Sequence, residues 1–80
     1  MKTNNKIGFV ETPLEIANLM VELSTIDKNE LVLDTGCGKG VFLQALKEKG
    51  YNNVVGIEID RELYNYCKGK FGDTFLIILG

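Results

Sequence analysis

A chain of 80 residues with a net charge of -2 holds one domain at most, and at that length folding buries only about 60% of the surface the unfolded chain exposes. The near-neutral balance supplies no field for a polyanion, so any surface that grips nucleic acid has to lie elsewhere in a longer protein. With 45% hydrophobic and 25% charged residues the composition is that of an ordinary globular domain, and no apolar run approaches the roughly 18 residues of a membrane span. Histidine is absent, which excludes His-based acid–base chemistry and any His-containing zinc site. The polar lead Met1–Lys6 is followed by no apolar signal core, which reads as cytoplasmic, so the two cysteines, Cys37 and Cys67, are expected as free thiols.

The elements follow in chain order. Thr12-Pro13-Leu14-Glu15 reads as a capping box with proline in the first helical position, opening a helix over residues 13–25 with a broad apolar face. Asp27-Lys28-Asn29 is a polar turn. Leu31-Val32-Leu33-Asp34 is an unbroken apolar run closed by an acid, the pattern of a strand buried on both faces of a parallel sheet. A helix is expected from about Lys39 to Lys49, with Val41, Phe42, Ala45 and Leu46 inward and Gly50 as its stop. Val54–Ile59 is the second strand, Asp60 the N-cap of a helix over Arg61–Lys70 that Gly69 and Gly72 end, and Thr74–Leu79 the third strand. Strands alternating with helices imply right-handed crossovers and an α/β, Rossmann-like parallel sheet in the order 3-2-1 with flanking helices. A fourth strand, which would cover the far edge of strand 1, has no counterpart here. That bare apolar edge is the physical reason to expect an incomplete fold, and it suggests self-association of the sheet edge.

Two motifs carry the chemistry. Asp34-Thr35-Gly36-Cys37-Gly38-Lys39-Gly40 stands between strand and helix, where ligands of open α/β sheets bind. Glycines there leave no Cβ between backbone and ligand. The spacing misses the dinucleotide fingerprint, because position 41 is Val41, and it misses the phosphate-binding loop as well. Glu58 follows Gly38 by 20 residues, where an acid at the second strand end can accept both ribose hydroxyls of a nucleotide, and Ile59 can lie flat against its base. The alternative is a solvated strand end for Glu58. Cys37 has no histidine partner and reads as a small residue tolerated beside the ligand.

The Asp-x-Gly-x-Gly-x-Gly pattern resembles the first motif of S-adenosylmethionine methyltransferases of class I. Gly8-Phe9-Val10-Glu11-Thr12-Pro13 resembles the tenth motif of amino-methylating DNA methyltransferases, placed first as in the gamma arrangement of adenine-specific enzymes. The resemblance covers residues 7–80. It implies S-adenosylmethionine as cofactor, with Asp34 near its amino group, the backbone of Thr35, Gly36, Cys37, Gly38 and Gly40 around its methionine part, and Thr12 on its carboxylate. Thr12 then serves two readings, helix cap and ligand contact. The catalytic motif of such enzymes, Asn or Asp then Pro-Pro and an aromatic, is not in the sequence, whose single proline is Pro13. The expectation is therefore the cofactor-binding part, residues 1–80, of a DNA adenine N6-methyltransferase from a restriction-modification system, inactive alone and meeting DNA through the rest of the protein. An RNA or small-molecule methyltransferase, or a non-enzymatic self-associating piece, remain alternatives.

Overall fold

In the computed structural model, which describes residues 12–80, helices and strands alternate in the order expected: α1 (Leu14–Leu23), β1 (Val32–Thr35), α2 (Val41–Glu48), β2 (Val54–Glu58), α3 (Arg61–Phe71) and β3 (Leu76–Leu79). The Met1–Lys6 lead and the Gly8–Glu11 part of the resemblance lie outside the described residues. All strand pairs are parallel. Val32 stands opposite Val54 and Asp34 opposite Gly56, while Gly56 stands opposite Ile77 and Glu58 opposite Leu79. The strand order is 3-2-1, as expected.

Local chemistry explains the element boundaries. At α1 the capping-box reading is corrected: Pro13, with φ -61° and ψ 147°, is itself the N-cap, and no side chain caps the helix. Its extended ψ keeps Pro13 outside the helix while its carbonyl accepts the N–H groups of Ile16 and Ala17, each at 3.0 Å. Thr12 is left outside the cap. The helix stops at Leu23, short of residue 25, because Ser24 turns extended and its hydroxyl accepts the Ile26 N–H at 3.1 Å. Helix α2 begins two residues later than expected, since Gly40 at its N-cap adopts the left-handed conformation, φ 81°. Its end is the one read from sequence. Gly50 turns left-handed (φ 85°), and the N–H groups of Gly50 and Tyr51 reach back to the carbonyls of Lys47 and Leu46. Asp60 caps α3 as expected, its Oδ1 accepting the N–H of Glu62 at 2.9 Å and of Leu63 at 3.1 Å. Gly69 lies inside that helix and Gly72 ends it.

The core lies on one face of the sheet. Val54, Gly56, Glu58 and Ile77 point into it and meet Leu43 of α2 and Cys67 and Phe71 of α3, all three of them fully buried. Gly56 suits the tight packing there: a Cβ would stand 3.1 Å from Ile77 and 3.2 Å from Leu43, close enough that their side chains would have to give way. Leu43 was not among the inward residues read from sequence. Helix α1 packs on α2 through Ala17 and Val21, an ion pair from Lys49 to Glu22 at 3.0 Å, and the Tyr51 hydroxyl, which donates to the Ile26 carbonyl at 3.0 Å.

The expectation of strands buried on both faces is corrected. Leu33, Leu76 and Ile78 alternate with the core residues and are exposed at 57%, 56% and 40%. Consecutive right-handed crossovers that advance in one direction lay their helices on the same side of a sheet. The opposite face therefore has no cover among the described residues, and neither does the outer edge of β1. An apolar groove of about 250 Å³ runs between α1 and that edge, along Met20, Ile26, Val32 and Phe42.

Candidate cofactor-binding cleft

The carboxyl end of β1 opens into a cleft of about 300 Å³, and its wall is the glycine loop. Three features give the loop its shape. Gly36, Gly38 and Gly40 all have positive φ (70°, 56° and 81°), a backbone that side chains with a Cβ rarely adopt. The Ile57 carbonyl at the neighbouring strand end accepts two successive N–H groups, Gly36 at 2.6 Å and Cys37 at 3.1 Å. The Gly40 N–H closes the turn onto the Cys37 carbonyl at 2.8 Å.

Thr12, Asp34, Thr35, Gly36, Cys37 and Gly38 come together at this cleft, as the sequence reading expects. Leu33, Lys39, Val41 and Phe42 join them. The alternating pattern of β1 carries the signal for Leu33 and the first turn of α2 that for Val41 and Phe42, while Lys39 is a position of the motif itself. Gly36 faces open space, since a Cβ there would meet nothing within 4 Å. Burial pushes the Asp34 carboxyl above its usual range, and the charge of Glu58 adds to the effect. A partly buried carboxylate in that condition is stabilised by a cation brought alongside it.

Three of the expected residues lie elsewhere. Gly40 is buried against α3, where a Cβ would overlap the Phe71 ring. Ile59 is 78% exposed just past β2, outside the cleft lining. Glu58 is not a solvated strand end: it is fully buried behind the loop. Its Oε1 accepts the Gly38 N–H at 2.8 Å and its Oε2 the Asp60 N–H at 2.9 Å, so one carboxylate ties the glycine loop to the turn before α3. The 20-residue spacing that singled out Glu58 pairs it with the loop glycine it holds.

Behind the loop lie both cysteines, as free thiols. The Cys37 thiol donates to Cys67 Sγ at 3.5 Å, and the Cys67 thiol donates to the Gly38 carbonyl at 3.0 Å. Burial first, then its bond to Cys67 and the nearby carboxylates, together push Cys37 up to about 12; burial raises Cys67 as well. Both are neutral at physiological pH, and neither is a nucleophile. Among the described residues no cluster of His, Cys, Asp and Glu could hold a metal ion, and no helix is long and apolar enough to cross a membrane.

A parallel sheet, a glycine loop leaving its first strand and an acid in the lining of the resulting cleft define a Rossmann-like α/β protein, a class whose ligands bind at the strand ends. The chain belongs to the methyltransferase domain family, whose model matches residues 11–73. It is 37% identical over 60 residues to the Type II methyltransferase M.HincII of Haemophilus influenzae, an alignment covering 75% of this chain and 12% of that protein. It is 35% identical over 72 residues to the ribosomal RNA small subunit methyltransferase A of Fusobacterium nucleatum, covering 88% of this chain and 27% of the relative. The chain thus spans a small part of the length of the relatives it matches. Its fold is similar to that of a protein described as an RNA methyltransferase from Pyrococcus horikoshii, with a TM-score of 0.59 and 23% identity over 84% of this chain and 33% of that one. Class I methyltransferases draw their methyl group from S-adenosylmethionine, so this is the cofactor of the family to which the chain belongs. The residues fit it: the cleft offers an acid, Asp34, toward a cationic ligand and a loop wall that is open at Gly36.

Proposed function

We propose that this chain is the cofactor-binding part of a DNA methyltransferase that modifies the N6 amino group of adenine within a restriction-modification system. The observation that carries the reading is the cleft itself, which gathers Thr12, Asp34 and the glycine loop at the end of β1. Asp34 holds the cofactor amino group and the loop backbone surrounds the methionine part. With the N-cap role assigned to Pro13, the Thr12 hydroxyl serves the carboxylate. Glu58 takes the ribose hydroxyls and Ile59 covers the adenine. Because Glu58 is fully buried against Gly38, that contact requires its Oε1 to release the Gly38 N–H, while the Gly38 carbonyl stays on the Cys67 thiol and the rest of the loop keeps its place. Bound S-adenosylmethionine supplies an electrophilic methyl group; these residues bind it, orient it and exclude water from it. Similarity to M.HincII supports DNA as the acceptor. The target base, in this reading, is held by residues outside the 80, since no Pro-Pro motif occurs among them.

Calorimetric titration of the chain with S-adenosylmethionine tests the site. Saturable binding, weakened about tenfold or more by Asp34→Asn and by Glu58→Ala, is expected, from the loss of charge-assisted hydrogen bonds. Undiminished binding by both variants would place the cofactor elsewhere. Acceptor class is tested by expressing the whole gene and mapping N6-methyladenine. Modified adenine at one short DNA sequence supports the reading, and modification confined to ribosomal RNA supports the alternative that the Fusobacterium relative favours.

A further inference from the structure

The glycine loop has two sides, and the cofactor accounts for one of them. On the other side Gly38 is held at both of its backbone polar groups: its N–H donates to Glu58 at 2.8 Å and its carbonyl accepts from the Cys67 thiol at 3.0 Å. One helical turn further along α3, Phe71 lies under Gly40 so closely that a Cβ there would overlap its ring. Cys67 and Phe71 are both fully buried, four residues apart on one face of the helix. The thiols also form a directed chain, Cys37 donating to Cys67 and Cys67 donating to Gly38. Burial keeps both protonated, which that chain of donors requires.

We propose that Cys67 is a positioning residue for cofactor binding: its thiol fixes the Gly38 peptide from behind, so that the cleft side of the loop is pre-formed. The proposal rests on reading the cleft as the cofactor site. A ligand that meets an ordered loop does not bear the cost of ordering it, and affinity rises accordingly. A buried alanine at 67 would leave the Gly38 carbonyl without its donor, whereas a serine would replace a weak donor with a stronger one at nearly the same place. A cysteine that merely filled the core would behave in the opposite way, because a buried hydroxyl is costlier than a methyl group.

The test uses the whole chain and three readouts: cofactor affinity by calorimetry, the melting temperature, and amide hydrogen exchange of the ligand-free protein. For Cys67→Ala, binding about tenfold weaker and faster exchange localised to Gly36–Gly40 are expected, with Cys67→Ser returning both to within about threefold of the parent. Should the alanine variant fail to fold, Cys67→Val, which fills the space without a donor, takes its place and is expected to show the same local loosening. Exchange that rises evenly over the whole chain, or a serine variant as loose as the alanine one, would overturn the proposal. Failure of the parent chain to bind S-adenosylmethionine would count against the cofactor reading, and the exchange of the ligand-free loop would still decide the role of Cys67.

Discussion

The two faces of the sheet share one alternating sequence and differ in everything that follows from it. One face carries Val54, Gly56, Glu58 and Ile77 under α2 and α3; the other carries Leu33, Leu76 and Ile78 in the open. The open face is as apolar as the covered one, which even includes the carboxylate of Glu58, so hydrophobicity alone did not select which would be covered. The crossovers did, by laying consecutive helices on the same side. Everything that shapes the glycine loop from within (Glu58, Cys67 and Phe71) belongs to the covered face. The lesson is that a site at a strand end depends on one layer of packing, and that this layer is present here even though the described residues supply no second one.

The comparison is broken most forcefully at Phe71. Truncation to alanine removes a fully buried ring and is expected to cost about 3–5 kcal/mol in urea unfolding. An effect as small as that of an exposed leucine would mean that the covered face is not the core. A rise in pH sharpens the comparison next. Cys37 binds its proton more tightly in the folded chain, where it is pushed up to about 12 from 9.0. The unfolded chain releases that proton first, so stability falls as pH rises from about 9 toward 12. Cys37→Ala is expected to flatten this window in denaturation curves collected across it, whereas Leu33→Ala on the open face leaves the slope alone. The smallest effect on stability is expected at Leu76, 56% exposed, where serine changes the unfolding free energy by less than about 0.5 kcal/mol. Its consequence is to be sought in mass instead. We propose that the open face and the free β1 edge drive self-association of the chain, so that Leu33→Lys together with Leu76→Ser lowers the mass seen in analytical ultracentrifugation. A parent chain that sediments as a monomer and melts cooperatively would refute this.

Much of the architecture was legible from residues. The Gly50 stop, the Asp60 cap, the parallel order and the loop at the end of β1 rest on local chemistry that sequence expresses directly. What escaped it were orientation and competition. The 20-residue spacing brought Glu58 to the end of β2 but gave no sign that the Gly38 N–H would sit on its carboxylate. Thr12-Pro13 has the letters of a capping box, yet the extended ψ of Pro13 made the proline itself the boundary. Unbroken apolar strands read as covered twice because sequence reports affinity for a partner layer and not its arrival. Cys67 drew no attention as a functional residue, since nothing at 30 residues' separation announces that its thiol meets Cys37 and Gly38.

The double grip of Glu58 has a kinetic consequence. A single carboxylate holds the N–H of Gly38 and that of Asp60, so the two turns it joins do not open one after the other at independent cost. Removing Glu58 is therefore expected to loosen both turns at once, so that amide exchange quickens at Gly38 and at Asp60 together.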